Sequence, residues 1–134
     1  VIKIGEWPHR WFGVWKEYGP AFQDCPSIHD FVDHEVAAGY DKVALRRYLT
    51  EAEAMAATSR ICFPSPFTGK HTGGSICYRT DGEWVWLDDL ADYVDQYDVV
   101  LPTAFMRNIE KNNHVPPQVD QATMDLLEGP PVRT

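Results

Sequence analysis

Two short β-forming runs, S-I-C-Y-R-T at 75–80 and E-W-V-W at 83–86, are separated only by Asp81-Gly82, and this constrains the chain more than any other feature. An Asp-Gly pair tolerates the positive backbone angles of a two-residue type I′ turn, so the runs read as an antiparallel hairpin. A two-residue loop sets Thr80 opposite Glu83, Arg79 opposite Trp84, Tyr78 opposite Val85 and Cys77 opposite Trp86. One face then carries Cys77, Arg79, Trp84 and Trp86, with Arg79 stacked on Trp84. A helix follows with no linker: Leu90, Tyr93, Val94 and Tyr97 recur at helical spacing behind Asp88 or Asp89 as the cap.

Upstream, W-P-H-R-W-F-G-V-W at 7–15 spaces Trp7, Trp11 and Trp15 evenly, but Pro8 and Gly13 oppose a helix. The segment reads as an extended arm leading into a short strand, followed by an irregular connection at Gly19-Pro20 and Cys25-Pro26. Ser27 starts a helix of about 28–37 with Ile28, Phe31, Val32 and Val36 as its apolar stripe. Asp41 caps a second helix, with Val43, Leu45, Tyr48 and Leu49 facing inward. The E-A-E-A-M-A-A run suits helix, whereas Thr50 and Thr58-Ser59 favour a break and a strand near 54–62; the break is preferred and helix stays open for 51–57.

Prolines and glycines make 63–74 a long turn. Leu101-Pro102 starts a helix anchored by Phe105, Met106 and Ile109 and ended by Asn112-Asn113. A short terminal helix falls near 119–128. The sum is an α+β chain in which a small antiparallel sheet with a central hairpin (about 75–86) packs against four or five helices. With 134 residues and 44% apolar side chains, one core is expected, hence one domain over 1–134. Residues 1–26 form its aromatic arm or strand and loop, and 114–134 a partly ordered tail.

Charge is segregated along the chain. Residues 17–41 hold six acids and no Lys or Arg, and residues 81–98 hold seven, again without a base. Between them, 42–79 holds six bases against Glu51 and Glu53. With a net charge of −8, such a chain repels nucleic acid and attracts basic partners. No stretch reaches the ~18–20 apolar residues of a membrane helix, and the start lacks a signal-peptide layout, so a cytoplasmic protein with no membrane partner is expected. Cys25, Cys62 and Cys77 are too few and irregular for a disulfide framework and read as small buried side chains.

Candidate chemistry is sparse. The five histidines lack the close spacing of zinc ligands, and Thr68–Gly74 lacks the first glycine of a phosphate loop, so neither metal nor cofactor is expected. Cys62 or Cys77 beside His71 would make a thiol nucleophile, without a local signature for one. Asp88, Asp92 and Asp95 share one face of the helix after the hairpin. That face reads either as a solvated surface with a cap or as an acidic docking stripe, with Asp30, Asp33 and Glu35 as the second acidic element. Trp7, Trp11 and Trp15 read either as core or as aromatic contacts for a partner.

The segment G-G-S-I-C-Y-R-T-D-G-E-W-V-W-L-D-D-L-A-D-Y-V-D-Q-Y-D-V-V-L-P-T-A-F at 73–105 resembles a group of small bacterial proteins with three consecutive motifs. These are a T-D-G-x-W-x-W hairpin (Thr80, Asp81, Gly82, Trp84, Trp86), a D-x-L-x-x-Y-V helix (Leu90, Tyr93, Val94) and an L-P-x-x-F helix (Leu101, Pro102, Phe105). Some of that group resemble immunity proteins of toxin systems. The resemblance covers about a quarter of the chain and specifies structure; it carries over no catalytic residue. Together with the acidic stretches it points to a non-catalytic inhibitor of a cognate toxin; a basic face on that toxin is expected from the acidic charge, and a monomer or weak homodimer is expected for the chain itself. The alternatives are a small enzyme with a Cys/His/acid site and a regulatory module dimerising through the tryptophan arm.

Overall fold

The computed structural model describes residues 4–55, 65–69 and 77–131. The class is α+β: among the described residues a four-stranded sheet stands with five α-helices and several 3-10 turns. Strands β1 (Trp11–Phe12), β2 (Glu53–Ala54), β3 (Tyr78–Thr80) and β4 (Val85–Leu87) lie in the order β1-β4-β3-β2. The hairpin β3-β4 is antiparallel and central, as expected, but β1 joins β4 in parallel, pairing Trp11 with Val85 and Phe12 with Trp86. The sheet is therefore mixed, not purely antiparallel. A parallel neighbour must arrive through a long connection, and the seventy-odd residues between β1 and β4 supply it.

The hairpin register differs by two residues from a type I′ reading: Thr80 faces Val85, Arg79 faces Trp86 and Tyr78 faces Leu87. Asp81 is the cause. Its Oδ1 accepts from the backbone N–H groups of Glu83 at 3.0 Å and Trp84 at 2.8 Å, an Asx-type turn, while Thr80 Oγ1 accepts from Gly82 N at 3.0 Å. Only Gly82, at φ 94°, takes a positive angle, so the loop widens to four residues. The shift is even, and each side chain keeps its face. Arg79 does not stack on Trp84; it reaches Asp88 at 2.6 Å and the Ala52 carbonyl at 2.6 Å, and Arg10 covers Trp84 instead.

Helix α2 (Lys42–Glu51) starts where Asp41 accepts from Ala44 N, and it buries Leu45, Tyr48 and Leu49. Val43, expected inside, is 71% exposed. The chain breaks after Glu51 into β2, which settles helix against strand for 53–54; residues 56–64, with the remainder of the proposed strand, lie outside the described residues, as does most of the 63–74 turn. The continuous helix expected over 28–37 is two pieces, a 3-10 turn Ile28–Phe31 and α1 (His34–Ala37). Val32 leaves helical geometry to bridge Val99, and Asp33 restarts the helix by accepting from Glu35 N and Val36 N. Val36 is exposed in consequence.

Helices α3 (Leu90–Tyr97), α4 (Thr103–Lys111) and α5 (Gln121–Met124) follow. The apolar stripe of α3 buries Leu90, Tyr93 and Val94; α4 buries Phe105 and Ile109 and turns Asn108 inward. At the sheet, Trp84 stacks on Phe105 (4.6 Å, 6°) and Tyr48 on Trp86 (6.1 Å, 23°), whose indole N–H donates to the Leu49 carbonyl at 2.9 Å. Gly13 ends β1 at φ 85°, and an added Cβ would meet Leu90 at 3.2 Å, so glycine is needed there both for the turn and for close packing of α3.

The arm 7–15 is part of the core. Trp7, Trp11 and Trp15 are 7%, 3% and 0% exposed, and Trp7 meets Trp11, Phe12 and Phe31 edge-on. Trp7 Nε1 donates to the Trp11 carbonyl at 2.8 Å, which folds the arm back past Pro8. The reading of these indoles as partner contacts, or as a dimerising arm, is corrected by their burial: aromatic area already packed in a core is not free to bind. The C-terminal segment fastens on the same side, with Glu128 accepting from Arg10 N at 2.9 Å.

Candidate functional site

The two base-free stretches of sequence meet in space. Asp33 N donates to the Asp98 carbonyl at 3.1 Å, Val32 bridges Val99, and Val100 N donates to the Phe31 carbonyl at 2.7 Å. The segment carrying Asp30, Asp33 and Glu35 thus lies against the end of α3. Asp98, at φ 55°, caps α3 in the left-handed region and points its carboxylate at His34 (2.6 Å) and Lys42 (2.5 Å). The His34 hydrogen bond, then that of Lys42, holds the Asp98 carboxyl below the usual range.

The carboxylate stripe of α3 is partly compensated, which local sequence did not indicate. Arg46 of α2 reaches Asp92 at 2.7 Å and Asp95 at 3.4 Å, and Arg79 of β3 holds Asp88. Among the described residues, four of the five aspartates at 88–98 meet bases: Asp88 meets Arg79, Asp92 and Asp95 share Arg46, and Asp98 meets Lys42 and His34. Asp30 and Glu35 are exposed, and Asp33 spends its carboxylate on the α1 cap. The pairs of Arg46 are about half exposed, where ion pairs contribute only ~0–1 kcal/mol, so a stronger partner would displace them at little cost.

Asp89 differs from its neighbours. It holds the N-cap position of α3 but caps nothing. The side chain turns inward, only 8% exposed, and Oδ2 accepts from Tyr18 OH at 2.5 Å. Tyr93 hydrogen-bonds in turn with Tyr18 and Ser65. Asp89 Oδ1 is buried and finds no hydrogen-bond partner among the described residues. Burial raises its pKa from 3.8 to about 7, against the Tyr18 hydrogen bond, with Asp92 and Asp88 adding repulsion. Burial also pushes the Tyr18 hydroxyl far up, so it remains a donor. The group forms one wall of a cleft of about 280 Å³ shared with Ser65, Asp92, Tyr93, Gln96 and Tyr97.

A second buried carboxylate, Asp81, is fully employed. Its Oδ2 accepts from Tyr48 OH at 2.7 Å and Asn108 Nδ2 at 2.8 Å, in addition to the two turn amides on Oδ1. It ties β3-β4 to α2 and α4 and is structural. The contrast between a saturated Asp81 and a half-satisfied Asp89 is what singles out the latter, since buried polar atoms are nearly always paired.

Asp89, Tyr18 and Ser65 were missed as a group from sequence because they come from positions 71 and 24 residues apart. One signal was present: Asp89 lies four before Tyr93 and eight before Tyr97, on the apolar side of the helix, not with Asp88, Asp92 and Asp95. The Cys/His site cannot be placed, because Cys62 and His71 lie outside the described residues. Cys25 is buried, with its thiol pushed up to about 11 by burial and then by Asp24, which opposes a nucleophilic role. Among the described residues no three His, Cys, Asp or Glu side chains gather as metal ligands, and no helix is long and apolar enough to cross a membrane. Comparison of the chain with protein-family models, curated proteins and solved structures finds no match.

Proposed function

We propose that this chain is a non-catalytic binding protein, an immunity-type inhibitor that neutralises a bacterial toxin in the cytoplasm by docking the toxin's basic face on the acidic side of α3. The observation that carries the reading is the juxtaposition of the two base-free stretches through Asp33 and Asp98, which brings the segment of Asp30 and Glu35 against the end of the helix that carries Asp92 and Asp95. Carboxylates there outnumber their bases, and their ion pairs are exposed and exchangeable. The T-D-G-x-W-x-W hairpin and its two helices support the immunity-type assignment by resemblance. Its motif residues Trp84, Trp86, Leu90 and Phe105 are core residues, so the resemblance speaks for the scaffold and the acidic surface for the function.

The test is co-purification with, and protection from, toxins encoded beside its gene. A cognate toxin should bind wild-type protein and lose affinity when Asp30, Glu35, Asp92 and Asp95 are replaced together by their amides. Absence of both binding and protection across the neighbouring toxins would remove this reading.

A further inference from the structure

The cleft at Asp89 is a more specific feature than the face around it. We propose that it is the socket for one arginine or lysine side chain of the protein partner, whose charged head pairs with the Asp89 carboxylate. This rests on the docking reading above and deepens it to a single anchoring contact.

Asp89 supplies the unmet need: a buried carboxylate oxygen without a donor among the described residues, while its other oxygen is engaged by Tyr18. A buried anion left so is costly, and a cationic donor offsets that cost better than a neutral one because it answers both the missing hydrogen bond and the missing charge. The ionisable groups lining the cleft among the described residues are acids and phenols, namely Asp89, Asp92, Tyr93 and Tyr97, with no base on the wall. Asp92 already has Arg46, so Asp89 is the carboxylate in want of a cation. The aromatic lining suits the rest of such a side chain. Tyr97 stacks on Phe67 at 4.2 Å and 2°, a flat wall against which a methylene stem or a guanidinium plane packs. At about 280 Å³ the space falls just under the ~300–1,000 Å³ of typical small-molecule pockets, which fits one side chain and not a large cofactor. An arginine anchor in a pocket ringed by weaker contacts is a common arrangement at interface hot spots.

The full chain, labelled for nuclear magnetic resonance in its amides and carboxyl carbons, is titrated with N-acetyl-arginine amide and N-acetyl-lysine amide, and with N-acetyl-glutamine amide as the neutral control. A cationic probe should give saturable shifts confined to Ser65, Asp89, Tyr93 and Gln96, largest at the Asp89 carboxyl carbon, with half-saturation in the millimolar range. Asp89→Asn should abolish them, while Asp30→Asn with Glu35→Gln should leave them intact. Gln96→Lys, on the exposed lip, should also abolish them without touching the core, and it serves if the Asp89 variant does not fold. Binding should tighten as pH rises through about 7, where Asp89 ionises; among the described residues the other titratable groups facing it are Tyr18, Tyr78, Tyr93, Asp88 and Asp92.

No saturable shift from either cation up to about 100 mM, weaker than any useful anchor, would overturn the socket. So would equal shifts from the neutral probe, or shifts that survive both variants. A cognate toxin that binds Gln96→Lys and Asp89→Asn as tightly as wild type also overturns the socket while leaving the acidic-face reading standing. Failure to find any toxin removes that reading, and the probe titration still decides the socket.

Discussion

Replacing Asp89 by asparagine should stabilise this protein above neutral pH and destabilise it below about pH 4. The folded-state pKa of about 7 lies above the 3.8 of an ordinary aspartate, so the folded state holds this proton more tightly than the unfolded chain. Stability contributed by that proton is complete below about pH 4 and is lost as pH rises through about 7. At about 1.36 kcal/mol per pH unit, the full difference is on the order of 4 kcal/mol. Asparagine cannot ionise and escapes that loss. It keeps an acceptor for the Tyr18 hydroxyl but places an amide N–H₂ where Oδ1 has no partner, which costs about 1–3 kcal/mol at any pH. The balance is a net gain of about 1–3 kcal/mol at about pH 8.5 and a net loss of similar size at about pH 3.5. Urea unfolding followed by tryptophan fluorescence, extrapolated to water at both pH values, measures it. An equal loss of stability at both pH values would show that Asp89 carries no burial-driven pKa shift.

Four further outcomes follow from the packing. Asp81→Ala should cost about 3–5 kcal/mol, because Tyr48, Asn108 and two turn amides lose one shared acceptor, whereas Asp81→Asn should cost less; both are read by urea unfolding. Leu45→Ala should cost about 2–5 kcal/mol, while Val43→Ser on the same helix should change stability by no more than ~0.5 kcal/mol. Gly13→Ala should lower the melting temperature by several degrees through the positive φ and the Leu90 contact at 3.2 Å, a loss of about 1–3 kcal/mol. Phe105→Ala should cost about 3–5 kcal/mol in the same unfolding assay and release the stacked Trp84, shifting its fluorescence.

The elements legible in the sequence are those whose cause is local. Helix α3 follows from its apolar spacing, α4 from Leu101-Pro102 and Phe105, and α2 from Asp41, because cap and stripe lie within a few residues of each other. What local pattern could not supply is pairing at long range. Val32 leaves the helix it resembles because Val99 offers it a bridge, and the parallel seat of β1 beside β4 depends on a chain segment more than seventy residues away. The hairpin was legible in kind but not in register, since a carboxylate at Asp81 competes with the type I′ turn that Asp-Gly permits. Burial of Trp7 and Trp15 follows from their packing on Phe12 and Phe31, and Trp11 packs on Trp7, which decides between the two readings the sequence left open. The acidic face was legible as charge, but its partial neutralisation by Arg46 and Lys42 and the inward turn of Asp89 required the helices to be placed side by side.

The most direct test of the docking claim is the affinity for a cognate toxin measured across a salt series, for wild type and for the Asp30, Glu35, Asp92 and Asp95 amide variant together. Docking on this face predicts affinity that falls steeply as salt shortens the screening length below ~8 Å, with a weaker and flatter dependence in the variant. Affinity that is independent of salt and equal in the two proteins would contradict the account.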